Sequence, residues 1–254
     1  MSDDLLHEVK GRTAHITFNR PAQRNALTFE MYEQLAAICD DPGDVRAIVI
    51  SGAGGAFAAG TDMTQFRAFD KPEDGWAYEE NMDAIMGRIE RAPVPTIAAI
   101  TGACTGGGAA IAACCDLRIG ARDMRFGFPI ARTLGNCLAA GNLARLSELI
   151  GAARVREIIF TARLIEADEA LSIGLVSEVL PDEASLMARA SELAAKVGSM
   201  APLTLHATKE ALRRNRAATK VDDSDLIISC YMSEDFRSGM EAFLAKQKPE
   251  WKGK

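Results

Sequence analysis

Two glycine-rich stretches carry the first chemical signal in the chain. Residues 56–62 read "AFAAGTD" and residues 105–110 read "TGGGAA". Each follows an apolar run of strand length, "VRAIVIS" and "PTIAAI" respectively. A run of three glycines is costly in conformational entropy and marks a place where backbone approaches something closely. No reactive side chain follows: Ala109 and Ala110 come next. Such a loop offers bare backbone N–H groups, and a donor at a helix N-terminus gains positive potential. In a parallel sheet, neighbouring strand ends open on one edge, where ligands bind. Two converging donors there make an oxyanion hole, which stabilises negative charge building on a carbonyl oxygen. Either loop taken singly reads equally well as a tight connection.

The elements that would carry these loops can be read around them. "LLHEVK" and "TAHITF" are two short strands around a turn at Gly11. Thr28 is suited to cap a helix through Cys39, whose apolar residues recur at helical spacing. A second helix is expected over 73–91, and further strands in "DLRIGA", "MRFGF" and "LVSEVL". Strands alternating with helices predict an α/β fold with a parallel sheet. Beyond about residue 135 the pattern is mostly helical. A core over 1–195 and a helical C-terminal region over 196–254 are expected.

Composition narrows the function. A net charge of −6 argues against nucleic acid or an anionic membrane as the general partner. No apolar run spans a bilayer, and the acidic start "MSDDLLHEVK" lacks a signal-peptide core, so a cytoplasmic protein is expected. None of the six cysteines has paired zinc-site spacing, so no metal is expected, and Cys114 and Cys115 read as small buried hydrophobes. His7, His15 and His206 fall away from both loops.

Taken together, "ITFNRPAQRNALTFEM", "AFAAGTDMTQF", "PTIAAITGACTGGGAAIAACCDLRIGA", "RFGFPIARTLG", "FTARLIEADEALSIGLVSEVLP" and "KEAL" run nearly end to end. On these motifs the chain resembles the crotonase superfamily, the enoyl-CoA hydratase/isomerase family. The resemblance implies a spiral of ββα units with a helical C-terminal oligomerisation region, trimers often paired into hexamers, and acyl-CoA thioesters as substrates. Coenzyme A enters as part of the substrate, with no separate cofactor. By the same resemblance the oxyanion-hole donors are the backbone N–H groups of Thr61 and Gly107. Ala58, Ala59 and Asp62 would line the groove for adenine and pantetheine, and Arg24 would face a CoA phosphate. Lys246 and Lys248 read more simply as a solvated tail.

The chain departs from the family pattern where hydration chemistry is done. The family's hydratases use two carboxylates, and the matching positions here are Ala110 and Ile130. The isomerase position slightly later, near Leu138 and Ala139, is apolar too. General acid–base groups are worth about 10²–10⁴-fold each, so two-glutamate hydration is not expected. Glu79, Glu80 and Asp83 lie on the helix that borders the acyl pocket in the family; Glu80 is taken as the stand-in, against the plainer reading of all three as a solvated face. Asn136 would orient a water or a polar acyl group, or cap a helix beginning there. Cys137 would need a depressed pKa to act, and a packed thiol is the simpler reading. Asp62 is expected to bond its own loop, and Asp116 to fix the next strand. The resemblance implies an acyl-CoA-processing enzyme of the enoyl-CoA hydratase/isomerase family that stabilises a thioester enolate in the two-donor hole; the first alternative is another crotonase reaction, such as decarboxylation, isomerisation or thioester hydrolysis. A noncatalytic acyl-CoA-binding homologue is the second alternative.

Overall fold

The computed structural model describes residues 3–69, 71–218 and 221–253. β1 (Leu5–Lys10) and β2 (Thr13–Phe18) pair antiparallel around Gly11, whose φ of 60° suits glycine. α1 (Phe29–Asp40) starts at Thr28, whose hydroxyl accepts from the Met31 N–H at 3.2 Å. β3 (Ala47–Gly52), α2 (Pro72–Glu90), β4 (Thr96–Ile100), β5 (Ala103–Thr105) and α3 (Gly107–Cys114) follow, then β6 (Leu117–Ala121) and β7 (Arg125–Gly127). α4 (Ile130–Thr133), α5 (Ala140–Ile150) and α6 (Ala152–Thr161) lead to β8 (Ile165–Glu166), α7 (Ala167–Ser172) and β9 (Val179–Leu180). The chain ends in α8 (Glu183–Gly198), α9 (Pro202–Ala217), α10 (Ser224–Tyr231) and α11 (Glu234–Leu244).

The main sheet has the order β1-β2-β3-β4-β6-β9, parallel from β2 onward. A smaller sheet, β5-β7-β8, lies beside the glycine loops. Its strands have three, three and two residues, too short to show a period-two pattern, and β5 and β8 are not anticipated from sequence. Of "LVSEVL", only Val179 and Leu180 form a strand. Leu175 and Val176 instead donate to the Ala170 carbonyl, closing the end of α7 after the Gly174 turn.

The alternation of side chains along each strand builds two cores. Ala47, Val49, Ile97, Ala99 and Ile119 face α8, meeting Leu186, Ala190 and Ala194. Ile48, Ile50, Ala98 and Ile100 point the other way, into the larger core under α1, α2 and α3. Fully burying one such aliphatic side chain stabilises the fold by about 1.5–3 kcal/mol, so β3, buried at every position, anchors both layers. A third cluster joins Met63 and Phe66 to Ile227, Tyr231, Phe236 and Met240 of α10 and α11. Through it the C-terminal helices are packed onto the core beside α2. The boundary expected at residue 195 falls inside α8, which runs to Gly198. Among the described residues no helix is long and apolar enough to cross a membrane.

Candidate active site

The two glycine loops are stitched together by backbone. Ala58 donates to the Ala103 carbonyl at 3.0 Å and Thr105 donates to the Ala58 carbonyl at 2.9 Å, a parallel bridge continuing β5. A second bridge ties Thr61 to Leu27. Gly106 takes a φ of 53° to turn the chain into α3. A Cβ on Gly108 would lie 2.4 Å from the Ala58 carbonyl oxygen, and one on Gly107 would lie 3.1 Å from Thr61 Oγ1. The glycines therefore let α3 start against the first loop. Among the described residues, neither the Thr61 N–H nor the Gly107 N–H finds an acceptor within the chain. Gly107 opens α3, where the helix end adds positive potential.

Both residues line a cavity of about 540 Å³ bounded by the first loops, α2, α3 and the chain from Phe128 to Asn142. Arg24, Ala59, Asp62 and Asn136 also line it. Ala58 does not: it is fully buried beneath the loop and serves the bridge to β5. Asp62 accepts from the Thr64 N–H and hydroxyl at 3.1 and 2.7 Å, and from Arg20 Nη2 at 3.0 Å. Burial opposes its ionisation, but these bonds outweigh it and hold the carboxyl below its usual range. Its charge is thus spent on its own loop. Asp116 likewise holds Thr96 and Lys209. Lys246 and Lys248 are exposed.

Ala110 and Ile130 stand on the cavity wall, buried and apolar. The only carboxylates lining the cavity among the described residues are Asp62 and Glu79. Glu80 is exposed and does not line it, which corrects the choice made from sequence. The physical reason is helical phase. Glu79 precedes Met82 and Met86 by three and seven residues, and all three line the cavity; Glu80 is turned about 100° away. That phase was readable in the sequence.

Glu79 is 5% exposed and accepts a hydrogen bond from the Tyr231 hydroxyl at 2.5 Å. Burial pushes its carboxyl up to about 7, reinforced by Asp223 and Asp83; Tyr231 and the Ala139 N–H act against the rise. A carboxyl poised near neutrality suits an acid or a base at physiological pH. Asn136 does not cap a helix, because α5 begins at Ala140; its amide nitrogen lies 3.4 Å from the Tyr231 oxygen. Tyr32, Thr61 and Tyr78 form a hydroxyl chain, with Tyr32 Oη 2.9 Å and Tyr78 Oη 3.2 Å from Thr61 Oγ1. Tyr231 and this hydroxyl chain are not anticipated from sequence, since their partners come together only in the fold.

Residues 8–254 match the family model for enoyl-CoA hydratase/isomerase. The chain belongs to the enoyl-CoA hydratase/isomerase family. Membership brings the crotonase fold and places the protein among acyl-CoA enzymes. It is 34% identical to the short-chain-enoyl-CoA hydratase of Clostridium acetobutylicum, across 98% of this chain and 97% of that protein. It is 37% identical to the mitochondrial Delta(3,5)-Delta(2,4)-dienoyl-CoA isomerase of Homo sapiens, across 86% of this chain and 71% of that protein. Among solved structures, a methylmalonyl-CoA decarboxylase in complex with 2-nitronate-propionyl-CoA matches with a TM-score of 0.89, 26% identity and full coverage of both chains. Relatives within the family thus run different reactions, and the side chains on the cavity wall decide among them.

Proposed function

We propose that this family member forms an enolate from an acyl-CoA thioester and uses one side-chain acid/base group, Glu79. The thioester oxygen is held by the N–H groups of Thr61 and Gly107. Fixed donors in a dry cavity stabilise the developing charge without reorganising, a contribution of roughly 3–4 kcal/mol per donor by analogy with other oxyanion holes. Arg24, Ala59 and the 58–62 backbone hold the CoA portion, which is part of the substrate; no further cofactor takes part.

The reaction is an allylic double-bond shift. Ionised Glu79 takes a proton from the α-carbon of a β,γ-unsaturated acyl-CoA, and electrons move onto the thioester oxygen as a dienolate. The same proton returns to the γ-carbon, giving the α,β-unsaturated thioester. One carboxyl performs both steps, so the balance needs no second group. The observation that carries this reading is Glu79: a buried carboxyl near neutral pKa opposite a wall made apolar by Ala110 and Ile130. Two-carboxylate hydration lacks its second member on that wall.

Decarboxylation is the second reading, favoured by the full-length likeness to methylmalonyl-CoA decarboxylase. There the C–C bond supplies the enolate electrons as carbon dioxide leaves, and protonated Glu79 quenches the carbanion. Assays of a β,γ-hexenoyl-CoA, methylmalonyl-CoA and crotonyl-CoA separate the readings. Isomerisation faster than the other two supports the first; decarboxylation alone transfers the conclusion to the second. Robust crotonyl-CoA hydration would overturn both, and binding without turnover of any thioester would mark a noncatalytic homologue. The chain is also proposed to assemble as a homotrimer or homohexamer. α9, which buries no residue and exposes Leu203 and Leu212, is a face such contacts would cover, and sedimentation measurements test it.

A further inference from the structure

The carboxyl at the centre of the proposed chemistry does not stand by itself. Its hydroxyl donor, Tyr231, is the last residue of α10, in the C-terminal helical region. α10 reaches α2 at close quarters: a Cβ on Gly75 would lie 2.4 Å from Tyr231 Cβ, one turn before Glu79. The Tyr231 ring is held by Phe236 and Tyr78, with centroids 4.8 and 6.1 Å away. Burial, and then the neighbouring Glu79, keep the phenol protonated far above neutral pH. A phenol has one proton, and here it is donated to Glu79 Oε1 at 2.5 Å. The Tyr231 oxygen is left to accept, and Asn136 Nδ2 faces it at 3.4 Å. The direction of the chain is therefore fixed, from Asn136 to Tyr231 to Glu79.

Resting on the reading of Glu79 as the acid/base group, we infer that Tyr231 is its positioning residue: it holds the carboxyl in place on the cavity wall and favours its ionised form, with Asn136 orienting the phenol behind it. The other groups facing Glu79 are known. Asp83 on α2 and Asp223 before α10 oppose ionisation, while the Ala139 N–H favours it. Asp83 is itself paired with Arg145 at 3.0 Å, and Asp223 accepts from the Ala140 N–H at 2.5 Å. Tyr78, Tyr32 and Cys137 stay neutral, their ionisation opposed by burial and by Glu79, and for Cys137 first by its hydrogen bond with Cys230. Tyr231 is thus the one side chain that donates to the carboxyl among the described residues.

The test is Tyr231→Phe, which keeps the ring and removes the donor. Exchange of the α-proton of hexanoyl-CoA in D₂O is followed by NMR as a function of pH. Exchange needs ionised Glu79, so the rate rises with pH through its pKa. Losing a hydrogen bond to the charged form moves that limb to higher pH, by about one unit or more. KM for hexanoyl-CoA stays unchanged. A ¹³C titration of the Glu79 carboxyl, assigned with Glu79→Gln, shows the same shift without substrate. An unmoved limb and an unmoved carboxyl titration in a folded variant overturn the inference. If Tyr231→Phe does not fold, Asn136→Ala shortens the same chain and must move both readouts in the same direction; no movement overturns the inference equally. Should Glu79→Gln exchange at the wild-type rate, the acid/base assignment has failed, while the carboxyl titration still decides whether Tyr231 governs Glu79.

Discussion

Gly107 and Tyr32 occupy one shared volume: a Cβ on Gly107 would lie 1.7 Å from Tyr32 Oη and 2.9 Å from its Cζ. The Tyr32 ring is buried and its hydroxyl bonds Thr61 at 2.9 Å, so it cannot withdraw cheaply. The side chain absent from Gly107 is thus replaced by a hydroxyl from α1 that also fixes the opposite loop. Gly107→Ala is expected to displace α3 from Thr61 and lower kcat about 10²–10³-fold, the effect of a lost oxyanion donor. Thermal unfolding and turnover check it. Adding Tyr32→Phe relieves the nearest clash and recovers part of the lost melting temperature. An alanine variant with wild-type turnover would contradict this role for the glycine.

The raised pKa of Glu79 is also a statement about stability. Its folded value of about 7 lies above the ordinary 4.5, so between those values the native state binds a proton that the unfolded state has released. The contribution is fully present below the unfolded pKa and is lost as pH rises through the folded one. Glu79→Gln removes this dependence. Relative to wild type, the variant should gain about 2–3 kcal/mol in urea unfolding between pH 5 and pH 8. A constant difference between the two proteins would show that Glu79 ionises as it would in water.

The larger pattern of the fold was legible because strands and glycines leave strong local marks. β1, β2, β3, β4 and β6 were readable as short apolar or alternating runs, and Thr28 as a cap. The two loops were readable because glycine runs there answer a steric demand of the backbone. Of Glu79 and Glu80, the phase of Met82 and Met86 puts Glu79 on the cavity wall, a mark the sequence does hold. Tyr231 left no such mark: it lies 152 residues from Glu79, and only the packing of α10 on α2 brings them together.

The thiol pair beside the site has a measurable signature. Cys137 and Cys230 are half-buried, while Cys39, Cys104, Cys114 and Cys115 are buried. The neighbouring Cys137 thiol lowers the Cys230 thiol below its usual range, against its burial. Iodoacetamide at neutral pH should therefore modify Cys230 first, as mapped by mass spectrometry. Cys137→Ala removes that neighbour and should slow the reaction. Faster labelling of Cys230 in the variant would show that Cys137 does not lower its thiol.

Asp62 is expected to matter for the fold of its loop rather than for chemistry. Asp62→Ala removes the cap on the Thr64 N–H and the partner of Arg20, at a cost of about 1–2 kcal/mol. Because its carboxyl is held below the ordinary 3.8, this stability is present above that pH and lost as pH falls through the lower folded value. Urea unfolding at pH 7 and pH 3 checks it. Under saturating acyl-CoA, kcat should stay close to wild type; a large loss would place Asp62 in the chemistry.

Proton abstraction by Glu79 is tested by α-proton exchange of hexanoyl-CoA in D₂O with wild type, Glu79→Gln and Glu80→Gln. Exchange reports enolate formation whatever the final reaction. Wild type and Glu80→Gln are expected to exchange rapidly, and Glu79→Gln to fall by about 10²–10⁴-fold. Undiminished exchange in a folded Glu79→Gln variant, or a loss confined to Glu80→Gln, would contradict this role of Glu79.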